Sequence, residues 1–444
     1  MSFKFSLPKI ATAPFCPSEV QGSIAVPPGS SFWRKVTIFF GPALLVCVGY
    51  MEPGNWATDI EAGSKYGYNL LFVVLLSSLA AIFLQCLALR VGLISGKDIA
   101  ELCRAKYSRR YSFILWILAE VAIIATDIAE VLGCALAFKL LFGCSLHTGI
   151  LITALDTLIV LGLKGKGFRQ VEAIILGLVM TIGVCYFIEL WLVKPFWPDV
   201  FVGFIPSLEK ISAIEPLYIA IGILGATVMP HNLYLHSSIV KTRKISDAES
   251  DQRSAIRMNT LDTVVSLFLA FLVNSAILIL AAAAFHNAGR TDVISIDQAF
   301  HLLDPIVGTS LAAILFGVAL LAAGQSSTFT GTIAGQIILE GFLDLKIPCW
   351  KRRVITRALA LVPAYIGVSL LGENSIGRLL VMTQVVLSLQ LPFVILPLIQ
   401  FASDSKLMKS FAIKGLAKII AWMLLMAIVV ANIWLIMRLL QITW

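Results

Sequence analysis

Two short motifs place possible metal ligands inside apolar segments of the sequence. Residues 52–55 read Glu-Pro-Gly-Asn, and residues 229–232 read Met-Pro-His-Asn. A proline removes one backbone donor and clashes with the preceding turn, so each helix is expected to break there. Carbonyls freed inside a membrane are tolerated only where they line a cavity or bind something. Glu52, Asn55, Met229 and a carbonyl near Ala226 are therefore expected to converge on an ion.

The ligand types favour a transition metal. Oxygen ligands alone suit Mg²⁺ or Ca²⁺, whereas a thioether favours softer ions, so Met229 beside Glu52 and Asn55 would suit Mn²⁺ or Fe²⁺. Met229 could equally be a packing residue. Gln384 could complete the coordination shell in one conformation, or it could simply hydrogen-bond another helix. Ordinary proline kinks are the alternative for both motifs, and the repetition of the pattern with polar side chains favours the ion site.

A row of acidic side chains lies in the third apolar segment. Glu120, Asp127 and Glu130 are separated by seven and three residues, which places all three on one helix face. Carboxylates that exchange protons near neutral pH when buried are what a proton pathway requires. The alternative is a set of structural salt bridges to other helices.

Histidines and arginines could extend this pathway. His231 and His236 follow the second proline, and a histidine can carry a proton near neutral pH. Both are interpreted as proton-pathway or gating residues, with hydrogen-bonded core histidines as the alternative. Arg352 and Arg353 precede the ninth segment, and Arg357 lies within it, more than one turn deeper. One of the three could be the counter-charge of Asp127, and the sequence does not decide which.

The elements that must position these residues are membrane helices. The chain has 444 residues, of which 59% are hydrophobic and only 14% are charged, against about 25% charged in soluble proteins. Lipid must therefore be the solvent for much of the surface, and a spanning helix needs about 20 apolar residues. Eleven such segments are predicted, at residues 38–63, 66–94, 111–142, 146–163, 168–193, 212–240, 259–286, 304–343, 354–372, 375–401 and 413–441.

The positions of the two motifs predict an inverted repeat. The second motif lies five segments after the first, and an odd number reverses the direction in which the helix crosses the membrane. Such repeats form binding sites at the bilayer midplane from discontinuous helices. The predicted organisation is a tail at 1–37, a five-helix repeat at 38–210, an inverted repeat at 211–401, and a loop with an eleventh helix at 402–444.

Charge distribution predicts the orientation. With the N-terminus in the cytoplasm, 26 of the 34 basic residues fall on the cytoplasmic side, as the positive-inside rule requires. The C-terminus is then outside. These basic loops are expected to meet anionic lipids, not nucleic acid. The eight cysteines include no C-x-x-C pair, so neither a zinc site nor a disulfide framework is indicated. Catalytic motifs such as H-E-x-x-H and G-x-S-x-G are missing from the sequence, which argues against an enzyme.

The sequence resembles the Nramp family of divalent-metal transporters, especially the bacterial proton-coupled manganese transporters. The resemblance rests on residues 51–56, 225–236, 324–336 and 389–393, and it extends from Gly41 to the last helix. It implies an all-α membrane protein with a LeuT-type inverted repeat of five plus five helices and an eleventh helix. It also implies import of Mn²⁺ or Fe²⁺ together with protons across the cell (inner) membrane. No resident cofactor and no obligatory protein partner are expected.

The resemblance also implies roles for individual residues. Glu52, Asn55, Met229 and the Ala226 carbonyl match metal ligands, and Gln384 matches a ligand used in part of the cycle. The matches to the proton pathway are Glu120, Asp127, Glu130, His231, His236 and one of Arg352, Arg353 and Arg357. One position departs from the family, whose first motif begins with aspartate where this chain has Glu52. The extra methylene adds about 1.5 Å of reach, so metal binding is expected to survive while affinity, selectivity and proton coupling change.

Two other functions fit parts of the pattern. A sodium-coupled symporter for amino acids or organic solutes could use the same fold, but a central acid beside a thioether argues against it. A non-transporting metal sensor would need a long soluble output domain, and the loops of this sequence are too short to form one.

Overall fold

The computed structural model describes residues 21–27, 31–155, 168–207, 210, 214–345, 347, 349–372 and 376–439. Helices account for most of them. The first half contains α1 (Phe32–Phe39), α2 (Pro42–Gly49), α3 (Pro53–Tyr66), α4 (Leu71–Ser95), α5 (Ile99–Lys106), α6 (Arg109–Phe142), α7 (Leu146–Thr153), α8 (Phe168–Val193) and α9 (Trp197–Gly203). The second half contains α10 (Ile214–Thr227), α11 (Pro230–Ile239), α12 (Glu249–Ala281), α13 (Ile296–Val307), α14 (Leu311–Leu343), α15 (Cys349–Leu371), α16 (Ile376–Ser403), α17 (Ser405–Met408) and α18 (Gly415–Leu439).

The described helices fit a multi-pass membrane protein. Nine stretches are long and apolar enough to cross a bilayer, or ten if α1 and α2, which are bent by 43°, count as one span. The predicted segment 146–163 is helical as α7, but residues 156–167 lie outside the described part of the chain. The exact number of eleven spans therefore stays a prediction.

Both predicted breaks are present. Helix α2 ends at Gly49 and α3 begins at Pro53, while α10 ends at Thr227 and α11 begins at Pro230. Each proline occupies the first position of its new helix, where the missing amide would have no intrahelical partner anyway. The same residue thus ends one helix and begins the next.

Two predicted segments have different boundaries in the structure. The segment 304–343 is divided because Gly308 has a left-handed φ of 80°, which ends α13 before α14 begins. Hydropathy alone does not reveal this turn. Helix α12 begins at Glu249, ten residues before the predicted start at 259, with Glu249 and Asp251 in its first turn. Acidic residues at that end favour helix formation by complementing the helix dipole.

Helix α6 packs at the centre of the bundle, against α14, α16, α7 and α15. Small residues allow the close approach. A Cβ at Gly133 would lie 2.1 Å from Cγ of Pro53, and one at Gly324 of α14 would lie 2.4 Å from Sγ of Cys134. Membrane helices associate through such contacts because lipid provides no hydrophobic drive between them. Gly133 therefore places α6 directly against the first break.

One face of the bundle, here called the proximal face, carries the N-terminal segment. Strand β1 (Ile24–Ala25) pairs in parallel with β2 (Arg243–Lys244). The buried Arg243 donates through Nη2 to Oε1 of Glu172 at 2.9 Å and to the carbonyl of Phe40 at 3.2 Å, and through Nε to the carbonyl of Ile38 at 3.1 Å. The guanidinium thus joins the end of α1 to the start of α8. The opposite face is called distal.

Close helix packing gives a stability prediction. A Cβ at Gly92 of α4 would lie 2.0 Å from the carbonyl oxygen of Ser237 in α11. We expect Gly92→Ala to lower the thermal midpoint of the purified protein in detergent, since overpacking of this kind costs about 1–3 kcal/mol. Loss of monodisperse protein on heating, followed by size-exclusion chromatography, measures the midpoint.

Gly177→Ala is the matched control. Gly177 is also inside a helix, but a Cβ there would meet nothing within 4 Å. Both variants gain the same helix propensity, about 1 kcal/mol. A midpoint for Gly92→Ala that equals or exceeds that of Gly177→Ala would contradict the close contact between α4 and α11.

Candidate functional site

The two breaks lie against each other. A Cβ at Gly49, the last residue of α2, would lie 2.4 Å from Nδ2 of Asn232 in the first turn of α11. A larger residue at position 49 would displace the Asn232 side chain. The contact brings the first break next to the second, as the repeated motifs predict.

Side chains satisfy the backbone of the first break. The carbonyl of Tyr50 accepts from Nδ2 of Asn55 at 2.7 Å and from Nδ2 of Asn274 at 2.8 Å. The carbonyl of Met51 accepts from Nε1 of Trp56 at 3.1 Å. These donors replace part of the bonding that an uninterrupted helix would supply. They also hold the amide of Asn55 with its oxygen free.

The second break leaves a carbonyl without its helical donor. The amide that would donate to the Ala226 carbonyl belongs to the residue four positions on, and Pro230 has no amide hydrogen. Met229, in extended conformation with φ −85° and ψ 125°, joins the two helices. Its sulfur is 3.7 Å from Nδ2 of Asn232. The Met229 thioether therefore belongs to the same cluster of groups as Asn232.

Gln384 of α16 completes the cluster. Its Nε2 donates to Oε1 of Glu52 at 2.9 Å. A Cβ at Gly54 would lie 1.7 Å from the same nitrogen. A Cβ at Gly225 would lie 3.1 Å from the main-chain carbonyl oxygen of Gln384. The two glycines let α16 approach both interrupted helices. Gln384 thereby lies beside both Glu52 and the residue before Ala226.

Several buried oxygens at this point have no hydrogen-bond partner. They are Oε2 of Glu52, Oδ1 of Asn55, Oδ1 of Asn232 and Oε1 of Gln384. Buried polar atoms in native proteins nearly always have a partner, and these four oxygens from both breaks and α16 could accept a cation together. Within the described residues no group of three or more His, Cys, Asp and Glu side chains could hold a metal. A metal at the breaks would instead meet one carboxylate together with amide oxygens, a carbonyl and a thioether.

The acidic row of α6 divides into two parts. Asp127 lies within electrostatic range of Glu52. A Cβ at Gly331 of α14 would be 3.5 Å from Oδ1 of Asp127 and 3.1 Å from Oε1 of Glu130, so these two carboxylates share one niche. Glu120 instead forms an ion pair with Arg352. For Glu120 the structure therefore favours the salt-bridge alternative.

The two histidines face different helices. Nδ1 of His231 is 3.4 Å from Oγ1 of Thr126 on α6. Nδ1 of His236 is 2.9 Å from Oε1 of Gln85 on α4, and Nε2 of Gln85 donates to the hydroxyl of Tyr50 at 2.8 Å. His231 thus contacts α6, the helix that carries the acidic row, while His236 is linked to the first break.

The arginines of the ninth predicted segment also have separate positions. Arg352 pairs with Glu120, as described above. Arg357 is buried and donates from Nη2 to the carbonyl of Thr153 at the end of α7, at 3.1 Å. The side chain of Arg353 lies outside the described part of the chain.

Sequence reasoning missed Gln85 and Asn274. Both are buried and hydrogen-bond groups of Tyr50. Each is an isolated amide in a long apolar helix, which is the signal that could have identified it. Such a signal shows that a residue needs a partner but not which one.

The sequence matches a known protein family over most of its length. The profile of the family "Natural resistance-associated macrophage protein-like", Nramp, matches residues 43–438. The divalent metal cation transporter MntH of Ralstonia nicotianae is 62% identical over 435 residues, covering 98% of each chain. The divalent metal cation transporter MntH 1 of Pseudomonas aeruginosa is 61% identical, covering 97% of this chain and 98% of that one.

Solved structures of transporters are similar to this chain in fold. A variant of the Eremococcus coleocola manganese transporter superposes with a TM-score of 0.88 at 37% identity, covering 94% of this chain and 89% of that one. The nucleobase-cation-symport-1 family transporter Mhp1 has a TM-score of 0.60 at 14% identity, covering 93% and 86%, which is a likeness of fold alone. The predicted fold class, an all-α membrane protein of LeuT type, is confirmed.

The site geometry gives a prediction about Gly54. In Gly54→Ala the new methyl group would occupy the place of the Gln384 amide, so this side chain must move away and lose its hydrogen bond to Oε1 of Glu52. We expect Mn²⁺ binding, measured by isothermal titration calorimetry, to weaken roughly 10–100-fold, the range seen when support of a metal site is lost.

Gly222→Ala is its control. A Cβ at Gly222 would meet only Cγ2 of Thr58, at an ordinary 3.5 Å. Mn²⁺ affinity should stay at the wild-type value. Equal affinity in Gly54→Ala and the wild type would show that this approach of α16 is unrelated to metal binding.

Proposed function

The chain belongs to the Nramp family, and on that premise we propose that it imports divalent transition-metal ions, Mn²⁺ and Fe²⁺, by alternating access around the two breaks. The observation that carries this proposal is the buried set of oxygens without hydrogen-bond partners at Glu52, Asn55 and Gln384. With the Ala226 carbonyl and the Met229 thioether they offer what a dehydrated ion needs. Transport, not catalysis, is the function of such a site.

The ligand set suits a transported ion. One carboxylate neutralises half of the charge of a divalent ion, and neutral groups supply the rest of the coordination. An ion held this way is bound tightly enough to lose its water yet remains able to leave, which transport requires. The Met229 sulfur makes the set less suitable for Mg²⁺ and Ca²⁺.

Proton coupling follows from the neighbouring carboxylate. Asp127 lies within electrostatic range of Glu52. A divalent ion bound at Glu52 stabilises the ionised form of Asp127 and so promotes release of its proton. Glu130, which shares the niche at Gly331, and His231, which faces α6, are the next groups that can accept it. Symport then requires that this proton leaves on the side to which the metal is released, with Glu120 and Arg352 as an ion pair near the pathway.

The proximal face is assigned to the cytoplasm. It carries the N-terminal strand and Arg243. Most basic residues of the sequence are predicted to lie on this same side of the membrane. The C-terminus is then outside the cell. Surface accessibility of single introduced cysteines at the two ends of the chain would test this orientation in intact cells.

A proteoliposome assay tests the function. Mn²⁺ influx and internal pH are followed together, with Mg²⁺ and Ca²⁺ as competitors. We expect Mn²⁺ influx with acidification and little competition. Influx without acidification would remove the proton symport and keep metal transport, whereas no influx, or influx of sodium with an amino acid, would overturn the proposal.

Replacing Glu52 by aspartate, the residue with which the family's first motif begins, gives a direct prediction. In Glu52→Asp the shorter side chain no longer reaches Nε2 of Gln384, so its carboxylate is free for the metal. We expect a higher rate of Mn²⁺ uptake in proteoliposomes. Glu52→Gln, which keeps the length and removes the charge, should abolish uptake. An unchanged or lower rate in Glu52→Asp would show that the longer side chain is no handicap.

Replacing the thioether tests selectivity. Met229→Leu keeps the volume and removes the sulfur ligand, so the preference for Mn²⁺ over Ca²⁺ in competition uptake should fall roughly tenfold, equal to about 1.4 kcal/mol. Met408→Leu is the matched control, because Met408 is equally buried in the short helix α17. A preserved preference in Met229→Leu would make Met229 a packing residue.

A further inference from the structure

Another buried carboxyl, that of Glu189, lies outside the site described so far. Glu189 is on α8, whose first turns reach the proximal face, where Glu172 pairs with Arg243. Glu189 is therefore near the distal end, four residues before the helix ends at Val193, or about 6 Å along the axis. It is 0% exposed, and neither of its carboxyl oxygens has a hydrogen-bond partner. Ionisable residues at such positions are functional candidates by default.

The carboxyl shares a helix face with a phenol. Tyr186 precedes Glu189 by three residues, the spacing that places two side chains on one face. The Tyr186 hydroxyl is also buried without a hydrogen-bond partner. Its ring lies edge-on to Trp56 of α3, with ring centroids 5.1 Å apart. This contact connects the Glu189 face of α8 to the residue that follows Asn55.

A second acid faces the same phenol from α3. Asp59 follows Trp56 by three residues and is 2% exposed. The Tyr186 hydroxyl lies within electrostatic range of both Asp59 and Glu189. Tyr186 is therefore flanked by one carboxyl from each helix.

Among the described residues, the helices packed against α8 offer no cation near Glu189. Helices α14, α12 and α2 pack against α8. The segments 311–339 of α14 and 263–281 of α12 contain no titratable residue, and α2 contributes only Cys47. On α8 itself the neighbours are Cys185 and Tyr186, and Lys194 beyond the helix end is exposed. An ionised Glu189 would thus be buried without a counter-charge, which is unfavourable unless the group binds a proton or gains water.

We propose that Glu189, beside the Tyr186 phenol, is a proton-binding site of the distal half, which takes its proton from the distal side and controls the packing of α3 on α8. With the proton bound, Glu189 is neutral and Trp56 can pack on Tyr186. Loss of the proton leaves a charge that needs water, and separation of α3 from α8 admits it. The external pH then controls access to the metal site from the distal side.

Proton binding is tested without transport. Infrared absorption of purified protein at neutral pH shows the C=O stretch of protonated carboxyls. We expect Glu189→Gln to remove one such carboxyl from the spectrum, while Asp199→Asn, which removes an exposed acid near the same end, leaves it unchanged. An unchanged spectrum in Glu189→Gln would overturn the proton site. This result does not depend on the proposed metal transport.

The role in gating rests on the proposed function and is tested in proteoliposomes. Mn²⁺ uptake is measured against external pH for the wild type, Glu189→Gln and Asp199→Asn. Because loss of the proton opens the distal side, we expect wild-type uptake to rise with external pH as Glu189 loses its proton, by at most about tenfold per pH unit, the limit for one proton released. Glu189→Gln should remove this rise, and Asp199→Asn should keep it. A wild-type profile in Glu189→Gln would overturn the gating role, whereas absence of uptake in the wild type would count against the metal transport alone.

Two further variants separate protonation from packing. Glu189→Asp keeps a carboxyl, so it should keep the pH dependence of uptake with a displaced midpoint. It replaces Glu189→Gln in this test if Glu189→Gln does not fold. Tyr186→Phe keeps the ring on Trp56 and removes the hydroxyl, so it should displace the midpoint without changing the thermal stability greatly. A flat profile in Glu189→Asp, or a wild-type midpoint in both variants, would contradict the proton site.

Discussion

The rest of the site depends on the backbone carbonyls that the breaks before Pro53 and Pro230 release from helical hydrogen bonds. Inside an apolar bundle every freed carbonyl needs a partner, because no lipid group can supply one. At the first break asparagine and tryptophan side chains donate to the carbonyls of Tyr50 and Met51. At the second break the Ala226 carbonyl has no helical donor. The first break thus contributes side chains, and the second contributes a backbone carbonyl together with the Met229 thioether.

This constraint explains why the sequence predicts the positions of the two breaks. A proline with polar neighbours in an apolar run predicts both the position of a break and the ligands beside it. The repetition of the pattern five segments later predicts that the breaks meet, and the contact between Gly49 and Asn232 agrees. The spacing of the acids on α6 likewise predicts their common face, and Asp127 and Glu130 share a niche.

Contacts between helices are what the sequence could not specify. Periodicity gives the face of a helix but not the rotation of its neighbour, so the pairing of Arg352 with Glu120 and of His236 with Gln85 could not be deduced. Gly54 is a similar case. In the sequence it indicates a flexible break, whereas in the structure its missing side chain makes room for Gln384. Steric requirements of this kind appear only when the helices are assembled.

The position of Arg243 has a consequence for how the proximal face can open. Its guanidinium satisfies the carbonyls of Ile38 and Phe40 and the carboxylate of Glu172. Moving α1 away exposes these groups together, and only water can replace the guanidinium. Opening is therefore coupled to hydration of the crevice. Solutes too large to enter it would oppose opening through osmotic stress, so the balance between conformations responds to water activity as well as to ligands.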